Sequence, residues 1–328
     1  MTIEQVWKTE DSTSPTRFQK RLLSWFDQHK RDLPWRRDRD PYRVWLSEIM
    51  LQQTRVAAVI DHYQRFLQRF PTVEKLASAR EASVLAAWSG LGYYRRARML
   101  HAAAKKIVKE HRGEFPGNAE DLRALPGIGR YTAAAIASIA FGQPVAVVDG
   151  NVERVLQRVQ GRKLAGEELW CAAGQLLNRK RPGDFNQAMM ELGATVCSPR
   201  LPQCLLCPVS DLCATRGELQ RPTKATRQTK RDIHYKFACR NGSIFLVQRS
   251  KAATLMPGMW ELPEAEGNEA TAVWLTVRHS ITVTDYVVRV LRGAAPKDIN
   301  GRWVRKSRVT ALPLTGLTRK ILHTAKII

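Results

Sequence analysis

Two carboxylates and four thiols in this chain have the types and spacing to do chemistry. Glu48 lies in Trp45-Leu46-Ser47-Glu48-Ile49-Met50-Leu51, with apolar neighbours on both sides. Such surroundings disfavour the charged form, raise the pKa and keep a proton available for donation. Asp149 closes the apolar run Val145–Val148 and opens the next helical stretch, Gly150-Asn151-Val152, where an Asp also serves as an N-cap. A proton-bearing acid with an ionised carboxylate can break a glycosidic bond through an oxocarbenium-like state. Cys197, Cys204, Cys207 and Cys213 follow the spacing C-x6-C-x2-C-x5-C. Four thiolates hold either a tetrahedral zinc ion or the corners of an iron–sulfur cube. Only one pair has the close spacing that zinc ribbons use twice, and Pro199, Pro202 and Pro208 stiffen the loop. Composition alone leaves iron and zinc both open. Cys171 and Cys239 lie apart and read as buried small hydrophobes.

The elements that must position these groups are helical. Apolar residues recur at helical spacing in Leu22-Leu23-Phe26, Val44-Trp45-Ile49, Val56-Val59-Ile60-Tyr63 and Met99-Leu100-Ala103-Ile107. Further helices are expected at 131–141, 151–160, 166–177 and 184–193, and Ser89-Gly90-Leu91-Gly92 reads as a loop. Little alternates with period two before residue 215, so that part is all-α. Leu125-Pro126-Gly127-Ile128-Gly129-Arg130-Tyr131-Thr132 precedes an alanine-rich helix. Gly127 and Gly129 permit close backbone approach, and a helix N-terminus offers free N–H groups, which together form a phosphate seat. The plainer reading is a tight helix–helix turn.

Composition then changes. Residues 221–231 are polar and basic, without a large apolar residue, and read as a linker. Beyond it, residues 234–240 and 244–249 flank Asn241-Gly242, a strong hairpin signal. Residues 273–279 and 281–291 are β-rich and 314–325 reads as a terminal helix, so this part is α+β.

The whole chain carries 53 Lys and Arg against 30 Asp and Glu among its 328 residues, a net charge of +23. That excess points to nucleic acid. With 44% hydrophobic residues, the chain is neither collagen-like nor wholly disordered. The start lacks a secretory h-region. The most apolar stretch, 133–148, is interrupted by Ser138, Gly142, Gln143 and Pro144, so no membrane span is expected.

In combination, these motifs resemble those of the helix-hairpin-helix DNA glycosylase superfamily, and within it the MutY-type adenine glycosylases. The matching pieces are Leu33–Arg36, Pro41–Val56, Gly90–Arg98, Leu125–Thr132, Val148–Val152, Phe185–Gly193 and the four cysteines, in unbroken order over about 17–215. The resemblance implies an all-α glycosylase domain of two lobes, with the target base flipped between them, and a [4Fe-4S] loop at 197–213. By the same resemblance Glu48 protonates the adenine, Asp149 stabilises C1′ of the sugar, and Tyr131 and Asn151 assist. Tyr131 stands where strand-cleaving relatives such as endonuclease III carry a Schiff-base lysine, so the chain is expected to lack lyase activity. Trp35, Arg36, Leu51 and Gln187 match the adenine pocket. Gln53 and Tyr93 match residues that fill or wedge the base stack, with Thr54, Leu91, Gly127 and Gly129 also at the DNA. Arg95, Arg96, Arg98 and Arg200 are expected to supply charge to the DNA backbone.

Residues 233–328 resemble, more faintly, the Nudix-like C-terminal domain of the same family, through Leu255–Pro263. The Nudix catalytic string is absent after Glu264, so pyrophosphate hydrolysis is not expected. Where the family carries a Phe-Ser-His-like triplet for 8-oxoguanine, this chain has Ile281-Thr282-Val283, leaving Thr282 as the remaining hydroxyl. The expected organisation is a multi-domain chain: a tail at 1–16, an all-α helix-hairpin-helix domain at 17–220, a linker at 221–232 and a smaller α+β domain at 233–328. The implied function is base excision of adenine opposite 8-oxoguanine or guanine in double-stranded DNA, by a monomer of the bacterial cytoplasm. The alternatives are a thymine or uracil mismatch glycosylase and a non-catalytic iron–sulfur damage-binding protein.

Overall fold

The computed structural model describes residues 14–216, 229–265, 272–281 and 284–328. Thr282, residues 1–13 of the expected tail, the last residues 217–220 of the expected helical domain and residues 221–228 of the expected linker lie outside the described residues, and the rest of that linker, 229–232, is strand. The first helices are α1 (Ser14–His29), α2 (Pro41–Leu51), α3 (Val56–Arg69), α4 (Val73–Ala77), α5 (Glu81–Trp88) and α6 (Arg95–His111). They are followed by α7 (Ala119–Arg123), α8 (Arg130–Phe141), α9 (Gly150–Gln160), α10 (Gly166–Leu176), α11 (Pro182–Thr195), α12 (Lys306–Val309) and α13 (Gly316–Thr324). The strands are β1 (Thr229–Phe237), β2 (Cys239–Arg240), β3 (Ser243–Gln248), β4 (Trp260–Glu261), β5 (Val273–Ile281), β6 (Thr284–Arg292) and β7 (Gly301–Arg305). Among the described residues strands are confined to the C-terminal part, so the expected combination of an all-α portion and a smaller α+β portion is observed. No helix among the described residues is long and apolar enough to cross a membrane.

The chain divides into two compact units, residues 1–53 with 106–223, and residues 54–105 with 224–328. In the first, α2 starts on Pro41, with the Asp40 side chain accepting from the backbone N–H groups of Tyr42 and Arg43. Tyr42, Val44, Trp45, Leu46, Glu48, Ile49 and Met50 are all buried, so α2 is enclosed nearly all round. It packs on α8, whose run Thr132–Ile139 is buried and half alanine. Small side chains let neighbouring helices approach α8 closely.

Helix α11 is locked at both ends by glycine. A methyl at Gly183 would lie 2.6 Å from the Ser138 carbonyl oxygen of α8, and one at Gly193 would lie 2.6 Å from Cβ of Asn151 on α9. Between them, buried Asn186 donates to Ser138 Oγ and to the Val145 carbonyl, both at 2.9 Å, and accepts from the Val147 N–H at 3.2 Å. The contacts to Val145 and Val147 fix the extended segment that delivers Asp149 to the head of α9, and the one to Ser138 ties α11 to α8.

In the second unit, Phe66 of α3 packs edge-on against Trp88 of α5 at 5.9 Å. The α+β part holds two sheets. One has the order β1-β6-β5, with β1 parallel and β5 antiparallel to β6. In the other, β3 pairs with β2, β4 and β7. Asn241 and Gly242 both have positive φ, 48° and 69°, as a two-residue hairpin turn of this hand requires. Cys239 departs from expectation: it is exposed, because β2 is a two-residue edge strand outside the core, and Cys171 is half-buried. β7, which has no alternating pattern, was not legible beforehand.

Replacing a helix-interior glycine by alanine gains about 1 kcal/mol in propensity. Overpacking against the rigid α9 backbone costs about 1–3 kcal/mol. We therefore expect Gly193→Ala to lower the thermal unfolding midpoint; a raised midpoint would show that α9 yields to the added methyl.

Candidate active site

Glu48 is 6% exposed, in the last turn of α2, and accepts a 2.6 Å hydrogen bond at Oε2 from the Tyr131 hydroxyl. Tyr131 follows Arg130, the first residue of α8, so the glycine hairpin sets its position. Burial is the largest influence on the Glu48 carboxyl and raises its pKa. The Tyr131 hydrogen bond opposes that rise, the charge of Asp149 adds to it, and Arg36 opposes it, leaving a pKa of about 7. Tyr131 is itself pushed well above its ordinary value, by burial and by the charges of Glu48 and Asp149, so its hydroxyl keeps its proton. Three groups far apart in sequence thus meet in one electrostatic neighbourhood.

Asp149 is both the N-cap of α9 and a charge facing that neighbourhood. Its Oδ1 accepts from the N–H groups of Asn151 at 2.9 Å and Val152 at 2.8 Å, and its Oδ2 accepts from Asn151 Nδ2 at 2.9 Å. Asn151 Oδ1 in turn accepts from Arg154 Nη2 at 2.7 Å. Arg154 also donates to the carbonyls of Gly193 and Cys197, both at 2.8 Å, tying the carboxylate to α11 and to the start of the cysteine loop.

The sequence reading missed Glu191. This residue of α11 is 1% exposed, and its carboxylate accepts from Arg31 Nε at 2.7 Å, Arg31 Nη2 at 2.8 Å and Arg36 Nη2 at 2.8 Å. Burial raises its pKa, but the hydrogen bonds and charges of Arg31 and Arg36 outweigh that and bring it down to about 2. An acid set among the apolar residues Ala188, Met189, Met190 and Leu192 was the available signal, since it needs a cationic partner. Arg36, matched to the adenine pocket, therefore spends its guanidinium on Glu191 and on the Arg31 carbonyl, and lies over the Phe26 ring at 5.4 Å. Of the other pocket residues, Trp35 is buried in the 3-10 turn Pro34–Arg36, while Leu51 and Gln187 are half-buried on α2 and α11.

At the hairpin, Gly127 has φ +74°, which requires glycine or strain. Gly129 is the N-cap of α8 with no side-chain capping bond, and space for a methyl around it is open. The first-turn N–H groups of α8 thus receive no capping bond from the N-cap side chain. Gln53, exposed just after α2, has φ +54°. Thr54, Leu91 and Tyr93 belong to the second unit. Tyr93 is 47% exposed at φ +48°, whereas Leu91 is only 6% exposed, so Tyr93 and not Leu91 is the side chain this loop presents. Such left-handed conformations cost about 1–3 kcal/mol each and collect at functional positions. Of the arginines expected to meet DNA, Arg95 and Arg200 are exposed. Arg96 instead donates to Thr54 Oγ1 and to the Leu91 and Gly92 carbonyls, and Arg98 pairs with Glu81.

The four cysteines line one cavity with Val155, Arg158, Val196 and Pro202. Arg158 lies 3.3 Å from Cys197 Sγ and holds the loop through the Ser198 and Pro199 carbonyls. Burial and the neighbouring thiols push Cys204 up and Cys207 up to about 11, the Val209 backbone opposing this at Cys207. Among the described residues no three His, Cys, Asp or Glu side chains close on a single point as one metal ion would require.

Fold and site define a helix-hairpin-helix base excision repair protein. The profile of the HhH-GPD superfamily base excision DNA repair protein matches residues 46–169. A thermostable thymine-DNA glycosylase structure is 31% identical, with a TM-score of 0.59, over 63% of this chain and 99% of that one. Adenine DNA glycosylase of Homo sapiens is 53% identical over 226 residues, 64% of this chain and 41% of that protein. Adenine DNA glycosylase of Buchnera aphidicola (subsp. Acyrthosiphon pisum, strain APS) is 32% identical over 269 residues, 79% of this chain and 77% of that protein. The chain belongs to the MutY-type adenine DNA glycosylase family. It spans less than half the length of the mammalian relatives it matches.

The Glu48 pKa of about 7 lies above its ordinary value of 4.5, so the folded state holds the proton more tightly than the unfolded chain. The corresponding stability is fully present below pH 4.5 and is lost as pH rises through about 7. Urea unfolding against pH should show this slope, and Glu48→Gln should flatten it. In Tyr131→Phe, the Glu48 carboxyl resonance followed by NMR should titrate at still higher pH, because a bond that favours the ionised form is gone. A resonance titrating in the usual carboxylate range in the unaltered protein contradicts the burial argument.

Proposed function

We propose that this protein is a monofunctional adenine DNA glycosylase, a monomer that hydrolyses the N-glycosidic bond of adenine opposite 8-oxoguanine or guanine in double-stranded DNA. The observation that carries this reading is the buried Glu48, protonated near neutrality, beside Tyr131 and the capped carboxylate of Asp149. Glu48 donates its proton to N7 of the flipped adenine. The C1′–N9 bond then breaks with its electron pair leaving on the base, and Asp149 stabilises the positive sugar. Water adds its oxygen to C1′ and gives up a proton, which returns the ionised Glu48 carboxylate to its acid form. Asn151 and Arg154 hold Asp149 in place, and the Tyr131 hydroxyl holds the Glu48 carboxyl. Trp35, Leu51 and Gln187 line the base pocket, with Arg36 fixed behind them on Glu191. Gln53 and Tyr93 enter the base stack, and the hairpin Gly127–Gly129 seats a phosphate on the uncapped start of α8. A tyrosine has no amine for a Schiff base, which supports hydrolysis without strand cleavage. The reading places the enzyme on chromosomal DNA in a bacterial cytoplasm.

Single-turnover excision from A·8-oxoG, A·G, T·G and U·G duplexes tests the assignment. Adenine should be released and thymine and uracil retained; release of thymine from T·G instead supports a mismatch glycosylase. The rate should fall as pH rises above about 7, as Glu48 loses its proton. Glu48→Gln should abolish excision while DNA affinity stays within a few fold, and full activity in that variant rejects Glu48 as the acid.

We also propose that Cys197, Cys204, Cys207 and Cys213 hold a [4Fe-4S] cluster. The fit rests on four thiols that line one cavity beside the Arg158 guanidinium. When bound, the group ties the four corners of the loop together, and no step of base excision passes through it. The purified protein should absorb visible light, and Cys207→Ala should lose that absorbance and melt earlier. A colourless protein with one equivalent of zinc overturns this assignment.

A further inference from the structure

The loop between α5 and α6 is fixed from two sides. On the helical side, Trp88 Nε1 donates to the Gly92 carbonyl at 3.1 Å. Arg96 donates to the Leu91 and Gly92 carbonyls and lies over the Tyr93 ring at 5.3 Å. On the other side the anchor comes from the C-terminal part of the same unit. Ser89 Oγ and the Tyr94 hydroxyl both donate to one acceptor, the Leu314 carbonyl, at 3.2 and 3.0 Å. Ser89, Tyr94 and Leu314 are all buried. Leu314 is held in turn: its neighbours Pro313 and Thr315 exchange backbone hydrogen bonds with Trp260 at 2.8 and 2.9 Å. Thr315 also caps α13 through its side chain. Between the two bound residues, Gly90, Gly92 and Tyr93 all have positive φ, at 109°, 70° and 48°. The result is a loop whose flanks are pinned and whose tip presents one exposed aromatic ring.

We infer that Ser89 and Tyr94 are positioning residues, which fix the Tyr93 wedge on the Leu314 carbonyl, so that the C-terminal domain takes part in opening the duplex. This rests on the reading of Tyr93 as a residue that enters the base stack. A wedge does work only if its backbone does not retreat as bases are forced apart. An inserted ring unstacks the bases beside it at an energetic cost, so the backbone that carries it must bear that load. The two hydroxyls supply that hold across 225 and 220 residues of sequence, from a domain whose sequence suggested only lesion reading.

The test uses the full chain and a duplex with 2-aminopurine as the target base opposite 8-oxoguanine, its sugar carrying a 2′-fluorine so that no excision follows. Base opening is read as the rise in fluorescence on mixing. Removing both donors in Ser89→Ala/Tyr94→Phe should slow that rise about ten-fold, the effect of two ordinary hydrogen bonds. The same pair of changes in a Tyr93→Ala background should slow it no further. That non-additivity separates positioning of the wedge from general weakening of the fold. If the double variant does not fold, Tyr94→Phe alone removes one hydroxyl and none of the ring's packing, and should slow the rise about three-fold in the presence of Tyr93 only. An unchanged rise, an equal loss in both backgrounds, or no rise with the unaltered protein overturns the inference. Adenine excision from the unmodified duplex is measured in parallel. Its absence rejects the functional reading while the fluorescence cycle still decides the loop.

Discussion

The structure turns on the burial of one ionisable carboxyl. An acid 6% exposed inside a helical core is costly to ionise, and Glu48 accepts its 2.6 Å hydrogen bond from a neutral hydroxyl. That arrangement requires α2 to be apolar nearly all round and α8 to be lined with alanine, so that the two helices close over the acid. It also requires Asp149 to be near enough for its charge to be felt, which the approach of α9 and α11 provides.

Glu191 makes the contrast. It is as deeply buried as Glu48, yet Arg31 and Arg36 draw its pKa to about 2, while Glu48 stays near 7. Environment alone separates two buried glutamates into a carboxylate and an acid, the division of labour that acid–base sites use. The arginines also explain how a buried negative charge is tolerated: it is paired and multiply hydrogen-bonded. The guanidinium matched to base reading is thereby committed to holding the framework.

A similar reassignment runs through the charge. An excess of +23 suggests a surface covered in DNA contacts. Yet Arg96, Arg154 and Arg158 are turned inward, where their fork-shaped donors bind several backbone carbonyls at once. Arginine suits this task because its planar donors meet carbonyls converging from different segments. Part of the basic excess thus builds the loops, and residues such as Arg95 and Arg200 remain at the surface.

The local elements were legible because they follow from short-range pattern. The helical periodicity, the Asn241-Gly242 hairpin, the change to β-rich composition and the motifs around Glu48, Asp149 and the cysteines all lie within short stretches. The sequence by itself determined which chemistry was available and the order of the helices and most strands. It did not determine that Leu91 turns inward while Tyr93 points out, that Cys239 is exposed, that Arg36 is engaged by Glu191, or that residues 54–105 form a unit with the C-terminal part. Tertiary structure decided these, and decided that the Glu48 pKa is raised to about 7 by burial. Protonation, burial and hydrogen-bond partners depend on groups brought together in space, and the tyrosine that meets Glu48 is 83 residues away along the chain.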